Sequence, residues 1–108
     1  MIAVTTEEVT GHRIVEMKGQ VFGLVVRSRG LGGNIMATLR SLGGGEIIEY
    51  TQLLEDARRH AVDRMIQNAT AMGANAVIRM QYDSSEIGTT MSEIVAYGTA
   101  AVIEPAKS

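Results

Sequence analysis

The longest regular pattern in the chain is a series of apolar residues at helical spacing between Thr51 and Met72. Gly73 follows at once, and glycine readily adopts the left-handed conformation that ends helices. We therefore predict one long amphipathic helix from Gln52 to Met72, with Thr51 as its N-cap and a length of about 31 Å. The apolar residues that fall on one line of this helix are Leu54, Ala57, Ala61, Met65 and Met72.

The rest of the chain contains shorter apolar stretches that are typical of strands. Residues 13–17 and 20–27 predict a hairpin with a tight turn at Lys18-Gly19. Gly23, in the middle of the second arm, indicates a bulge or a close approach of another backbone. Two further strands are predicted at 76–83 and 93–103. One helix on a mostly antiparallel sheet is an α+β two-layer sandwich.

The strands at 20–26 and 94–103 carry apolar residues on both faces. The long helix can cover only one face. A second, short helix is predicted at 35–42, but its length of about two turns is too little for a sheet roughly 30 Å long. An apolar face left bare is an aggregation hazard for a monomer. We therefore expect a homo-oligomer with closed symmetry.

The composition of the chain excludes several classes of function. The chain has 108 residues, which predicts a single domain, and its net charge of −2 gives no basic field for nucleic acid. It has no cysteine, which excludes disulfides and thiolate metal sites. The longest apolar stretch, 94–103, is about half of a membrane span, and the N-terminus is too acidic for a signal peptide. We expect a cytoplasmic protein that binds neither membranes nor nucleic acid.

A glycine-rich bend at 30–33 follows a strand and precedes the short helix. It departs from the dinucleotide-binding pattern because Ile35 stands where the third glycine belongs. Such a bend is more often a loop with solvated arginines than an anion site, and both interpretations stay open. We assign to a ligand groove between subunits, for a small anionic ligand, the residues Arg27, Arg40, Glu46, Tyr50 and Tyr97.

His60 lies four residues after Asp56 and three before Asp63, so these side chains can share one helix face. That spacing could hold a divalent metal ion, although the face lies opposite the apolar arc and is typical of a solvated charged surface. No catalytic signature is present, which favours a non-enzymatic binding or scaffold protein. Metal binding is one alternative. A small enzyme acting on an anionic metabolite, with Glu46 or Glu49 as base, is another.

Several stretches together carry a family resemblance: Gly19 through Arg29, Gly44-Gly45-Glu46, Tyr50-Thr51 with Leu54, Met72 through Val77, and Ala96 through Ala100. In these stretches the chain resembles the YbjQ-like family of small uncharacterised bacterial proteins. The resemblance implies a dodecin-like β-α-β-β subunit that assembles into a ring, with five as the expected number of copies. The family carries a heavy-metal-binding label, but it implies no activity, cofactor or residue motif that could be transferred to this chain.

Overall fold

The computed structural model describes residues 1–28, 48–87 and 91–106. One helix packs on a four-stranded sheet, which confirms the α+β fold. The strands lie in the order β1-β3-β4-β2, and the sheet is mixed because β1 runs parallel to β3 while the other pairs are antiparallel. The short helix predicted at 35–42 lies outside the described residues. The elements are β1 (Ile2–Ala3), β2 (His12–Ser28), α1 (Ile48–Ala71), β3 (Ala76–Ile87) and β4 (Met91–Pro105).

The long helix and its glycine stop are confirmed. α1 begins earlier than predicted, at Ile48, so Thr51 is a residue of its first turn and not its N-cap. At the other end Gly73 has a φ of 86°, and the amide of Ala74 donates to the carbonyl of Ala69 over 3.0 Å. This left-handed closure returns the chain toward the sheet. No helix among the described residues is both long and apolar enough to cross a lipid bilayer.

The predicted hairpin at 13–27 is wrong, because His12–Ser28 is one strand of 17 residues paired with β4 throughout. The expected turn is instead a bulge, with a register shift between Met17 and Gly19 and a second shift between Ile14 and Glu16. Gly19 has a φ of 112°, which glycine adopts without steric cost. A bulge absorbs the extra residue and bends the strand without reversing it.

The backbone of α1 lies directly against β2 at Gly23. A Cβ atom at Gly23 would stand 2.1 Å from the carbonyl oxygen of Ala61 and 2.3 Å from the amide nitrogen of Met65. The prediction of a close backbone approach is therefore confirmed. Small side chains on the helix permit this approach. The residues of the core between helix and sheet include Ala57, Ala61, Met65, Ala69, Val21, Val25, Val77, Ile94, Ala96 and Ala100.

A bulge in β3 faces a second indispensable glycine. The register between β3 and β4 shifts between Ile78 and Gln81, and Arg79 within this bulge has a φ of 52°. Opposite it, a Cβ atom at Gly98 would stand 2.8 Å from the carbonyl oxygen of Ile78. The bulge therefore needs glycine on the neighbouring strand.

One end of the sheet face that points away from α1 is covered by the chain itself. We call it the covered end; its buried residues are Ala76, Ile78, Ala101 and Ile103. Residues 4–11, the crossing segment, join β1 and β2, which lie at opposite edges of the sheet. Val4 and Val9 of this segment are half-buried, and Val4 exchanges backbone hydrogen bonds of 2.9 Å with Val77 and Met80. We infer that the crossing segment covers this end.

The other end of the same face is exposed. Side chains alternate along β2, so the neighbours of the buried Val21, Gly23 and Val25 point away from the helix. Phe22 is 53% exposed, Leu24 37% and Val26 48%. The residues opposite the first two on β4 are Tyr97 and Val95. Tyr97 and Val95 are half-buried. We call these three exposed and two half-buried residues the bare end: Phe22, Leu24, Val26, Val95 and Tyr97.

Candidate functional site

Arg27 lies on the helix side of β2, two residues beyond the buried Val25. Its Nη2 atom is 3.1 Å from Nδ1 of His60 on α1. A guanidinium group can only donate, so Nδ1 of His60 accepts and carries no proton in this contact. The Nε atom of Arg27 is buried and has no hydrogen-bond partner within the described ranges. Strand and helix thus bring together an arginine and a histidine that lie 33 residues apart in the sequence.

The flank of α1 that carries His60 lies along the outer side of β2. Four residues further on, Nη1 of Arg64 donates to the carbonyl oxygen of Leu24 over 2.7 Å. After another four residues, Nδ2 of Asn68 donates to the carbonyl oxygen of Phe22 over 2.8 Å. β2 is an edge strand of the described sheet, and unpaired edge carbonyls invite pairing with other chains. Arg64 and Asn68 therefore cover part of that edge.

The metal-site residues Asp56, His60 and Asp63 do share one helix flank, but their contacts diverge. Asp56 lies 4.0 Å from Arg59. His60 contacts Arg27, whereas the sequence predicts a side chain that faces solvent. Within the described ranges, no three or more side chains of His, Cys, Asp or Glu converge as a metal site would require. A metal site at these residues stays a prediction.

The five residues assigned to a ligand groove are not brought together within one chain as far as it is described. Arg27 lies on the helix side of the sheet, whereas Tyr97 pairs with Phe22 on the opposite face. The hydroxyl of Tyr97 donates to Oε1 of Gln81 over 3.0 Å. Arg40, Glu46 and the side chain of Tyr50 lie outside the described residues. A groove shared between two chains stays a prediction.

Sequence reasoning did not find the contact between Arg27 and His60 or the roles of Arg64 and Asn68. A signal for the last two was present, because His60, Arg64 and Asn68 recur every four residues beside the apolar stripe. Such a row lies along one flank of a helix. The element that this flank would meet depends on the packing of the helix, which the spacing does not specify.

The fold and this arrangement can be compared with known proteins. The α+β sandwich is similar to the crystal structure of a protein of unknown function of the DUF74 family from Pediococcus pentosaceus. The TM-score is 0.63, and the match covers 96% of this chain and 98% of that one. Sequence identity is 16%, so this likeness shows the fold alone.

Sequence comparison shows the family to which the chain belongs. Residues 1–104 match the model of the YbjQ family, described as "Putative heavy-metal-binding", so the chain belongs to that family. It is 72% identical over 107 residues to a UPF0145 protein of Bradyrhizobium sp. (strain ORS 278), covering 99% of this chain and 96% of the relative. It is 56% identical over 108 residues to a UPF0145 protein of the archaeon Picrophilus torridus, covering 100% and 92%. The family resemblance is confirmed, and the family extends beyond bacteria.

Proposed function

We propose that this protein is a non-enzymatic, homo-oligomeric binding or scaffold protein whose subunits close into a ring. The bare end is the observation that carries the proposal. Phe22, Leu24 and Val26 form a continuous exposed apolar row on one strand. Burying one such side chain fully contributes about 1.5–3 kcal/mol, so a second copy on this row would gain substantially. Exposed apolar patches are typical of interaction surfaces, which supports the proposal.

The dimensions of the subunit support association. Its Cα radius of gyration is 17.5 Å, compared with about 13 Å for a compact chain of 100 residues. Its principal extents are 58 × 25 × 15 Å. A long, thin subunit has little interior for its surface area, and neighbours supply the missing burial. The ring and its expected five copies rest on the family resemblance and not on this shape.

Sedimentation velocity at micromolar concentration tests the proposal. We expect the wild type to sediment as an oligomer and Phe22→Glu to sediment as a monomer, because a buried unpaired carboxylate is costly at an apolar interface. Gln20→Glu is the matched control, since Gln20 is an exposed residue of the same strand and face. It receives the same charge outside the bare end and should remain oligomeric.

Two results would count against the proposal in different ways. A wild type that stays monomeric at these concentrations contradicts association altogether. Native mass spectrometry counts the copies, and a number other than five contradicts the pentamer but not the association. Circular dichroism of Phe22→Glu shows whether the subunit itself remains folded.

Metal binding is the second candidate function, and the description of the family favours it. In this chain the candidate ligands are His60, Asp56 and Asp63. Calorimetric titration with zinc, copper and nickel tests this candidate. Binding that is lost in His60→Ala and retained in His12→Ala, the other histidine, supports it. Heat that does not exceed dilution, or binding unchanged in His60→Ala, rejects it.

A further inference from the structure

We propose that Arg27 and His60 form a binding site for an oxyanion. This inference deepens the binding role proposed above, because it names the chemical class of the ligand. The site is built by β2 and α1 of one subunit, so it does not require that subunits associate. Phosphate and carboxylate share the chemistry that such a site recognises, namely oxygen acceptors with negative charge.

The charge of Arg27 is unbalanced in the described part of the chain. Four other described cations lie within ion-pair distance of a carboxylate: Arg13, Lys18, Arg59 and Arg79. Arg58 lies over the ring of Tyr82, and Arg64 donates to a backbone carbonyl. Arg27 instead contacts a histidine nitrogen that bears no proton. It is also less exposed than most of these residues, since its side chain is half-buried between β2 and α1. A partly desolvated guanidinium without a counter-charge calls for an anion.

The geometry leaves a donor for that anion. Among the described residues, Nε of Arg27 is buried without a hydrogen-bond partner, and such atoms are rare enough to call for a partner, for which an ion is one candidate. The contact with His60 holds the guanidinium group through Nη2, which fixes the direction of the planar donors. A guanidinium group binds an oxyanion with two parallel hydrogen bonds, which a lysine cannot reproduce.

The helix flank beside the pair carries charges of both signs. Arg64 holds a second guanidinium group on the same helix flank, one turn after His60. Asp56 and Asp63 lie on this flank as well, and Asp56 is 4.0 Å from the exposed Arg59. Arg27 would donate the hydrogen bonds to an oxyanion, and Arg64 adds positive charge on the same helix flank.

Calorimetric titration with inorganic phosphate at constant ionic strength tests the site. We expect saturable binding to the wild type and a loss of about tenfold or more in affinity in Arg27→Gln, as for the loss of charged hydrogen bonds. Arg59→Gln is the matched control, because it removes the same charge from an exposed arginine beside His60 and should change affinity less than about twofold. Arg27→Lys keeps the charge without Nε and should bind several-fold more weakly than the wild type.

The two sources of the anion give different results. If a carboxylate of a second copy fills the site, the wild type binds no phosphate, and Arg27→Gln dissociates the oligomer in sedimentation while Arg59→Gln does not. If free phosphate is the ligand, Arg27→Gln loses binding and keeps its assembly. Either result supports the oxyanion site, and phosphate binding by a monomeric wild type would do so even though association had failed.

Other results overturn the inference. An equal loss of affinity in Arg27→Gln and Arg59→Gln means that phosphate responds only to overall charge. Phosphate binding that appears in Glu46→Gln but not in the wild type means that the chain's own Glu46 is the counter-charge of Arg27. No binding together with unchanged assembly in Arg27→Gln means that no oxyanion occupies the site.

Discussion

The covered end and the bare end lie on the same face of one sheet, yet the chain treats them differently. Ala76, Ile78, Ala101 and Ile103 are at most 7% exposed, and the crossing segment lies at this end. Phe22, Leu24 and Val26, further along the face, are 37–53% exposed. Both ends are apolar, so composition alone does not explain the difference. We infer that the difference follows from the path of the crossing segment; Met17 of β2, opposite Ala101, stays 59% exposed.

This comparison separates two kinds of burial. Residues 4–11 and the covered end belong to the same chain, so the stability gained from contacts between them does not depend on protein concentration. Cover supplied to the bare end by a second copy depends on concentration through mass action. The expectation of a face wholly left to other subunits is therefore too broad, because the chain covers part of that face itself.

The largest effect is expected where the helix supports the bare end from behind. Gly23→Ala places a Cβ atom against the backbone of Ala61 and Met65, and backbone cannot move aside as a flexible side chain can. We expect it to lower the free energy of unfolding by at least about 3 kcal/mol and to abolish assembly, as strong overpacking does. Urea denaturation followed by circular dichroism measures the change.

Gly11→Ala is the control for this glycine. Its added Cβ would have no atom within 4 Å, but Gly11 has a φ of +78°, so only the conformational cost of about 1–2 kcal/mol remains. Equal stability of the two variants would contradict the close contact between the backbones of α1 and β2.

The second prediction contrasts the two ends directly. Ile78→Ala, at the covered end, should lower the free energy of unfolding by about 2–5 kcal/mol at every protein concentration, because it opens a cavity inside one chain. Leu24→Ala, at the bare end, should lower the melting temperature mainly at concentrations where the wild type is assembled. Thermal unfolding at two concentrations that differ about a hundredfold separates these cases.

The comparison fails if the two variants behave alike. A loss in Leu24→Ala that is as large as in Ile78→Ala and does not vary with concentration would mean that residues of the same chain bury the bare end. Association through this surface would then be excluded.

Local patterns were sufficient to predict the helix and the close approach at Gly23. An apolar stripe at helical spacing that ends at Gly73 predicts a helix with a glycine stop. A glycine inside an apolar strand predicts either a bulge or the close approach of another backbone. The hairpin failed because Lys18-Gly19 suits a turn and a bulge equally well; the pairing of β2 with β4 over its whole length decides between them. The two residues of β1 are too few to show any period.

The candidate site was harder to predict because it depends on register and packing. Whether Arg27 and Tyr97 lie on the same face of the sheet depends on how β2 and β4 are aligned. The turn wrongly predicted at Lys18-Gly19 hid that alignment. The contact of Arg27 with His60 depends on the rotation of α1 about its axis. The spacing of Asp56, His60 and Asp63 gives a shared flank but not the partners that each side chain finds.

At the covered end, the side chain of Asn75 makes two hydrogen bonds with the backbone of β4. Nδ2 of Asn75 donates to the carbonyl oxygen of Ile103 over 2.9 Å, and Oδ1 of Asn75 accepts from the amide of Ile103 over 2.8 Å. Asn75→Ala should lower the free energy of unfolding by about 1–3 kcal/mol, because two partly buried backbone groups lose their partner. Chemical denaturation measures the loss.

Asn68→Ala on α1 is the matched control, since it removes one exposed hydrogen bond to the backbone carbonyl of Phe22. It should cost about 1 kcal/mol or less. A cost in Asn75→Ala no larger than in Asn68→Ala would show that the covered end does not depend on these two hydrogen bonds.

The smallest effect is expected at the ion pair between Glu7 of the crossing segment and Arg79 of the bulge in β3. Both side chains are more than half exposed, so Glu7→Gln should cost about 0.2–1 kcal/mol at low salt and less at about 1 M salt. Urea midpoints at the two salt concentrations measure this, with Glu8→Gln, a neighbouring exposed carboxylate, as control. If Val4 and Val9 hold the segment by burial, the covered end survives this change. A salt-sensitive loss well above 1 kcal/mol would mean that charge, and not apolar contact, keeps the crossing segment in place.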